Sequence, residues 1–264
     1  VTLDNLASDR IKKIRSLARA SVRRQLGLLL VEGPQACREA AAKGLVKDLY
    51  LCELASDHYP ELASLVDDAG GRVHLATRQY VDAISGAAQG VVAVARLAPP
   101  VVPTGWSKVA VFDQISDPGN AGSVLRSAAA MGFDGVFFTA GSVDPYSPKV
   151  IRTSAGMVFH VPTLAGWQMG PLNQVVEDLR SGGPVQVLAT DAVGDLALGD
   201  LTADWLGDRV AWLFGNEASG LGQEGLALAD HSVRIEMFGA AESLNLGAAA
   251  SIVLHWASLM ASKS

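Results

Sequence analysis

Between residues 107 and 264 the chain alternates short, continuous apolar runs with helical stretches. That alternation limits the fold more than any other feature. The runs are Val109–Phe112, Val136–Thr139, Val158–Val161, Val185–Ala189, Val210–Phe214 and Val233–Ile235. Helical stretches are expected at 120–131, 148–155, 171–181 and 222–229, and a last one at 244–260. Strands that are apolar throughout are buried on both faces. When helices separate them, the result is a parallel sheet covered on two sides. In such sheets the functional groups lie in loops at the carboxyl ends of the strands.

Upstream the pattern is mixed. A basic helix over 8–19 leads to the apolar run Leu26–Val31. Then come a helix from Pro34 to Lys43, a strand at Asp48–Cys52, a helix over 59–69, a strand at Val73–Leu75, a helix over 78–84 and a strand at Val91–Ala95. The segment "RLAPPVVPTGW" separates the two parts, because its prolines stop regular structure. The expected organisation is a small α/β domain over 1–98, a proline-rich linker over 99–106 and a larger parallel-sheet domain over 107–264.

A net charge of −6 taken alone argues against a nucleic-acid partner, but the charge is uneven. Residues 1–98 carry 13 Lys+Arg against 11 Asp+Glu, whereas residues 99–264 carry 8 against 16. Arg10, Lys12, Lys13, Arg15, Arg19, Arg23 and Arg24 crowd one short segment, which suits phosphates. Cys37 and Cys52 make no metal or redox spacing and fit a reducing compartment. The five histidines are scattered, so neither a metal site nor a Ser-His-Asp triad is expected. The N-terminal residues carry no apolar segment of the signal-peptide kind. The stretch Leu244–Met260 is interrupted by polar residues and is shorter than the ~20 residues of a spanning helix. A cytoplasmic protein without a membrane partner is expected.

Three loops after strands carry the polar residues. In "DPGNAGSVLRSAAAMG" Asn120 stands where a helix cap belongs, Gly132 where the helix ends, and Gly122 and Arg126 share a face. An arginine there can grip a phosphate with two parallel hydrogen bonds. In "LFGNEASGL" Gly215 allows an unusual backbone angle or a close approach, and Asn216 and Glu217 follow it. In "RIEMFGAAESLNLGAAASIVLHW" Ser243 reads as the cap of the last helix. Asn245 is then an amide that needs a partner, and Gly247–Ala250 is a run of small residues that lets a second backbone come close. The spacing G-x-G-x-x-G of a nicotinamide-binding sheet is absent.

These segments resemble the motifs of the SpoU/TrmH-type RNA ribose 2′-O-methyltransferases of the SPOUT superfamily. The likeness runs through D-P-x-N-x-G-x-x-x-R at Asp117–Arg126, "GSVDPYSPKVIRTSAG" at 141–156, F-G-N-E-x-x-G-L at Phe214–Leu221 and S-L-N at 243–245. The segments "LLLVEGPQACREA" and "QGVVAVA" resemble the L30e-like substrate-binding domain fused to many members. Ala218 and Ser219 depart from the commoner glycine-containing pair.

The resemblance implies a trefoil knot, S-adenosylmethionine as cofactor, a homodimer and no metal. It implies that Arg126, Asn120, Glu217, Ser243 and Asn245 form the catalytic set. The cofactor is expected near Leu188, Thr190, Gly215, Asn216, Ile235, Met237 and Leu244, and RNA contacts at Arg23, Arg24 and Arg152. A guanidinium rarely gives up its proton. Arg126 is therefore read as a phosphate clamp that also stabilises charge on the attacking oxygen, not as a base. The implied reaction is 2′-O-methylation of a ribose in structured RNA, with 23S ribosomal RNA favoured over transfer RNA. A base methyltransferase or a catalytically inactive RNA-binding protein is the rival reading.

Overall fold

The structure is a computed structural model that describes residues 2–98, 104–202 and 206–262. It divides into two units, Val1–Pro99 with Tyr146–Phe159, and Pro100–Pro145 with His160–Ser264. The expected linker at 99–106 lies outside the described residues over 99–103.

In the first unit the chain runs α1 (Asp9–Ser16), α2 (Ala20–Leu26), β1 (Leu28–Glu32), α3 (Pro34–Ala42), β2 (Val46–Cys52), α4 (Glu53–His58), α5 (Pro60–Asp68), β3 (Arg72–Ala76), α6 (Arg78–Ile84) and β4 (Val91–Arg96). The strands form one sheet in the order β1-β4-β2-β3. β4 is antiparallel to both of its neighbours, and β2 and β3 are parallel. The basic segment forms two helices instead of one. α1 opens under a Ser8 cap, and Gly27 closes α2 in the left-handed conformation. α1 packs with α6, and α3 with α5.

The second unit continues with β5 (Lys108–Phe112), α7 (Pro118–Ala130) and β6 (Gly135–Phe138). The chain then enters α8 (Pro148–Thr153), which packs against β1 and α3 in the first unit. It returns through β7 (Thr163–Leu164), α9 (Leu172–Ser181), β8 (Gln186–Thr190), β9 (Leu196–Ala197), β10 (Val210–Phe214), α10 (Gly222–Ala227), β11 (His231–Arg234) and α11 (Leu246–Ala261). All seven strands are parallel, in the order β7-β6-β5-β10-β8-β11-β9. β5 and β10 are neighbours at the centre, where the strand order reverses. A ligand crevice is expected there.

Burial explains this sheet. Every residue of β6 and β10 is buried, and Phe112 stacks on Phe214 and Phe138 at centroid separations of 4.8 and 5.8 Å. α7 and α11 lie close together. Gly247 and Ala250 are buried, Ser127 Oγ and Ser251 Oγ are 2.7 Å apart, and Ser258 Oγ donates to Met131 O at 2.7 Å. Gly247 and Ala250 of the small-residue run thus serve helix packing within the unit.

One expected strand is absent. Val158–Val161 begins instead in a single 3₁₀ turn, Met157–Phe159, and the sheet takes Thr163–Leu164. Ala155 and Gly156 both have positive φ and turn the chain sharply. At Gly156 an added Cβ would meet Glu39 and Ala36 of α3, so this turn is pressed against that helix. Val158 is buried here without joining the sheet. No helix among the described residues is long and apolar enough to cross a membrane.

Candidate functional site

The loops after β5 and β10 meet through one carboxylate. Glu217 Oε1 accepts from Asn120 Nδ2 at 3.0 Å and from the Asp117 backbone N–H at 3.3 Å, and its Oε2 accepts from the Ser116 N–H at 3.4 Å. Asn120 Oδ1 in turn accepts from Asn245 Nδ2 at 2.9 Å. A polar chain, Glu217–Asn120–Asn245, therefore ties together three loops far apart in sequence. Burial alone would raise the Glu217 pKa. The hydrogen bonds from Asn120 and from the backbone of Glu217, Ser116 and Asp117 outweigh it and hold the carboxyl below its ordinary value.

Two caps differ from expectation. Asp117, not Asn120, caps α7, accepting from the Asn120 N–H at 2.8 Å with Pro118 at the first helical position. Asn120 lies inside the first turn, which frees its side-chain amide for the relay. Asn245, not Ser243, caps α11, accepting from the Gly247 N–H at 2.9 Å. It is exposed at the helix start, where one amide both caps and reaches Asn120. Gly132 follows α7 with a φ of +63°, as the sequence implies.

The loop after β10 is held tightly. Asn216 and Gly220 exchange backbone hydrogen bonds at 3.1 and 2.9 Å, and Asn216 Nδ2 donates to Gln114 O at 2.6 Å. A Cβ at Gly215 would lie 2.1 Å from Gly220 C and 2.2 Å from Leu221 N. The glycine is required by the loop's own backbone. Gln114 was not singled out from sequence, yet it adopts a φ of +50°, and its N–H donates to Thr139 Oγ1 at 3.1 Å. No sequence signal marks it.

Thr190, Ile235, Met237, Ser243 and Leu244 line one cavity at the carboxyl ends of β8 and β11. Asp191 and Glu242, which sequence reasoning missed, line it too. The mixture of apolar walls and two carboxylates suits a ligand that combines a heterocycle with positive charge. Leu188 is not among these residues. It is fully buried within β8. Gly215 and Asn216 belong to the loop after β10 and do not line this cavity.

Arg126 is exposed on α7 and makes no hydrogen bond or ion pair among the described residues. The three expected RNA contacts differ from one another. Arg23 is 2% exposed, and its Nη1 donates to Leu17 O and Ala18 O at 2.8 and 2.7 Å. It staples the end of α1 to α2, which corrects its assignment to the surface. Arg24 is exposed. Arg152 on α8 pairs with Glu32 within the first unit. No cluster of three or more metal-ligating side chains occurs among the described residues.

Known proteins match this arrangement. A family model described as the SpoU rRNA Methylase family matches residues 107–255. A 23S rRNA (uridine(2479)-2'-O)-methyltransferase of Streptomyces viridochromogenes is 36% identical over 55% of this chain, and the match spans only 50% of that protein. A 23S rRNA (guanosine(2553)-2'-O)-methyltransferase of Bacillus subtilis is 26% identical, covering 96% of this chain and 97% of its own. The crystal structure of an AdoMet-bound rRNA methyltransferase from Sinorhizobium meliloti superposes with a TM-score of 0.81 at 26% identity, covering 97% of both chains. The SpoU methyltransferase AviRb of S. viridochromogenes, in complex with AdoMet, gives 0.80 at 28% identity, covering 97% of this chain and 100% of that one. The matched residues take in every loop of the polar relay and of the cavity, and the chain belongs to the SpoU rRNA methylase family.

Proposed function

We propose that the chain is an S-adenosylmethionine-dependent methyltransferase acting on a ribose 2′-hydroxyl of structured RNA, with 23S ribosomal RNA favoured. The observation that carries this reading is the Glu217–Asn120–Asn245 relay beside a cavity, with the unpaired Arg126 on the helix that the relay anchors. The ribosomal preference rests on relatives named for 23S rRNA, one of which is matched over nearly its whole length.

When bound, S-adenosylmethionine supplies a methyl group activated by a sulfonium. The cavity fits such a molecule. Ile235, Met237 and Leu244 would give apolar walls to its purine, and Thr190, Asp191 and Glu242 in the same lining would serve its polar and positively charged groups. Gly215 and Asn216 shape the neighbouring loop from outside the cavity, and Leu188 supports its strand from the core. The trefoil threading belongs to the same reading. Backbone crowding at Gly194, where an added Cβ would meet the Val233 and Arg234 backbone, supports chain segments passing at contact distance.

Arg126 grips a phosphate next to the target ribose and stabilises negative charge on O2′. A guanidinium keeps its proton, so the one leaving O2′ goes to a group other than Arg126, a substrate phosphate oxygen or another acceptor. Glu217 is a brace and not a base. Its carboxyl is held below the ordinary range, and its bonds run to Asn120 and to backbone N–H groups. Asn120 passes that brace to Asn245, and Ser243 sits in the cavity wall two residues before.

The same reading makes the first unit an L30e-like RNA-binding module, with Arg24 and Arg152 toward RNA, and places the enzyme in the cytoplasm without a metal. It also makes the enzyme a homodimer. α11 exposes Ala248, Ile252, His255 and Leu259 along one stripe, a face suited to a second copy.

Calorimetry with S-adenosylmethionine, and mapping of 2′-O-methyls in ribosomal and transfer RNA from cells with and without the gene, test the proposal. Binding and a methyl missing from 23S rRNA are expected. A methyl missing only from transfer RNA would move the substrate, and absent binding would leave an inactive RNA-binding protein. Arg126→Ala should abolish transfer while leaving cofactor affinity close to wild type. An affinity loss as large as the rate loss would remove Arg126 from its assigned role.

A further inference from the structure

The first unit holds a groove of about 420 Å³. It opens between α1 and one face of the four-stranded sheet, with lining residues from all four strands. On one side stand Arg10 and Lys13, three apart on α1 and therefore on one face. Both are exposed and make no ion pair among the described residues. Leu28 and Val94 give it an apolar floor, and Leu26, 54% exposed, forms part of its edge.

The other side is aromatic. Tyr50 stacks on His74 with centroids 4.8 Å apart and planes at 18°, and Tyr50 also stacks on Tyr80 at 6.3 Å. Tyr80 and Tyr50 are buried, at 1% and 3%, whereas the His74 side chain is 21% exposed. His74 is thus the solvent-side member of the stack. Asp48 fixes it, accepting from His74 Nε2 at 3.0 Å and from Arg72 Nε at 2.9 Å. One carboxylate holds the imidazole and a third groove cation, Arg72, in place, and Arg72 remains 65% exposed.

Unpaired cations opposite a braced ring, over an apolar floor, match the chemistry of one unstacked nucleotide. Phosphates take the cations, and any base takes the ring. We propose that this groove receives one nucleotide of a single-stranded segment of the substrate RNA, its base against His74 and its flanking phosphates on Arg10, Lys13 and Arg72. The proposal rests on the reading that the substrate is RNA. It concerns a contact separate from Arg24 and from the methyl-transfer loops.

The test uses the full chain and a fluorescein-labelled 12-nucleotide oligouridylate. Arg10→Ala with Lys13→Ala should weaken binding and reduce the slope of log K against log salt by about 1.4, as for two phosphates on a single strand. His74→Ala should weaken binding on the order of tenfold, and His74→Phe should restore it. Photocross-linking of a 4-thiouridine version should map to α1, β2 or β3. Unchanged affinity in both variants, or cross-links confined to other elements, would overturn the proposal. Thermal unfolding of each variant checks that it is folded, and the exposed α1 pair keeps the test decisive if His74→Ala is not. Calorimetry with S-adenosylmethionine on the same preparations separates the two readings. Cofactor binding and RNA methylation with indifferent groove variants would sink only the groove. Sensitive groove variants in a protein that binds no cofactor would sink only the methyltransferase.

Discussion

Gly215→Ala isolates the backbone geometry that sets the β10 loop. The new Cβ would lie 2.1, 2.2 and 2.5 Å from Gly220 C, Leu221 N and Gly220 O, all inside the 3.0 Å that real Cβ atoms respect. All three are backbone atoms, so no rotamer change relieves the clash. The loop must yield by about 1 Å, enough to break the Asn216–Gly220 hydrogen-bond pair, which stands at 3.1 and 2.9 Å. Overpacking costs about 1–3 kcal/mol, and two lost backbone bonds add about 0.5–1.5 kcal/mol each. The sum, about 2–6 kcal/mol, lowers Tm by at least about 4 °C. Glu217, two residues on, moves with the loop, and its bonds to Ser116 and Asp117 are already long at 3.4 and 3.3 Å. A misplacement of about 1 Å in an active site costs on the order of a hundredfold in rate. Gly220→Ala is the control. It has a φ of +64° but nothing within 4 Å of an added Cβ, so it costs only about 1–2 kcal/mol of left-handed strain and leaves turnover intact. Thermal unfolding and methyl transfer are measured for both. Equal turnover in the two variants would refute the claim that backbone crowding at Gly215 sets the carboxylate.

Four further substitutions have expected outcomes. Glu217 has a depressed folded pKa, so its contribution is complete above the unfolded value of about 4.3 and is lost as pH falls through the folded one. The Tm gap between wild type and Glu217→Gln should hold from pH 8 to about 5 and shrink below about 4; a gap that shrinks with rising pH would contradict the brace. Leu188→Ala should cost about 2–5 kcal/mol in thermal unfolding because the side chain is fully buried. Met237→Ala should change stability by less than about 0.5 kcal/mol yet weaken S-adenosylmethionine in calorimetry, and the reverse pattern would exchange their roles. Arg23→Ala should destabilise by about 2–4 kcal/mol through two orphaned carbonyls, with oligonucleotide affinity of the folded protein unchanged; a selective affinity loss would return Arg23 to the RNA surface.

The parallel sheet was legible in the sequence because strands buried on both faces are written as unbroken apolar runs, as at Val210–Phe214. The loops were legible because glycines and amides gather there near the ends of buried apolar strands. Errors arose where two residues competed for one local role. Asp117 with Pro118 next to it is the stronger cap signal, yet Asn120 stood closer to the alanine-rich run. Ser243 and Asn245 are both good caps, and only the folded chain shows that Asn245 accepts from the Gly247 N–H. The run at Val158 was misread because an apolar residue buries equally well against a helix as in a sheet. Arg23 was misread because charge in a sequence does not say which guanidinium ends up beneath a helix end. Asp191 and Glu242 had no signal, since only the folded chain brings them to one cavity.

The excursion of Tyr146–Phe159 into the first unit has a practical corollary. A single cut near the prolines would not yield two self-sufficient fragments. The longer one would carry α8 with Val150 and Ile151 stripped of the β1 and α3 surfaces they pack against, and the shorter one would lose that cover. Dissecting the protein means grafting 146–159 onto the amino-terminal piece and bridging the gap left behind. The same interleaving makes any exchange of this amino-terminal module between relatives a two-site operation.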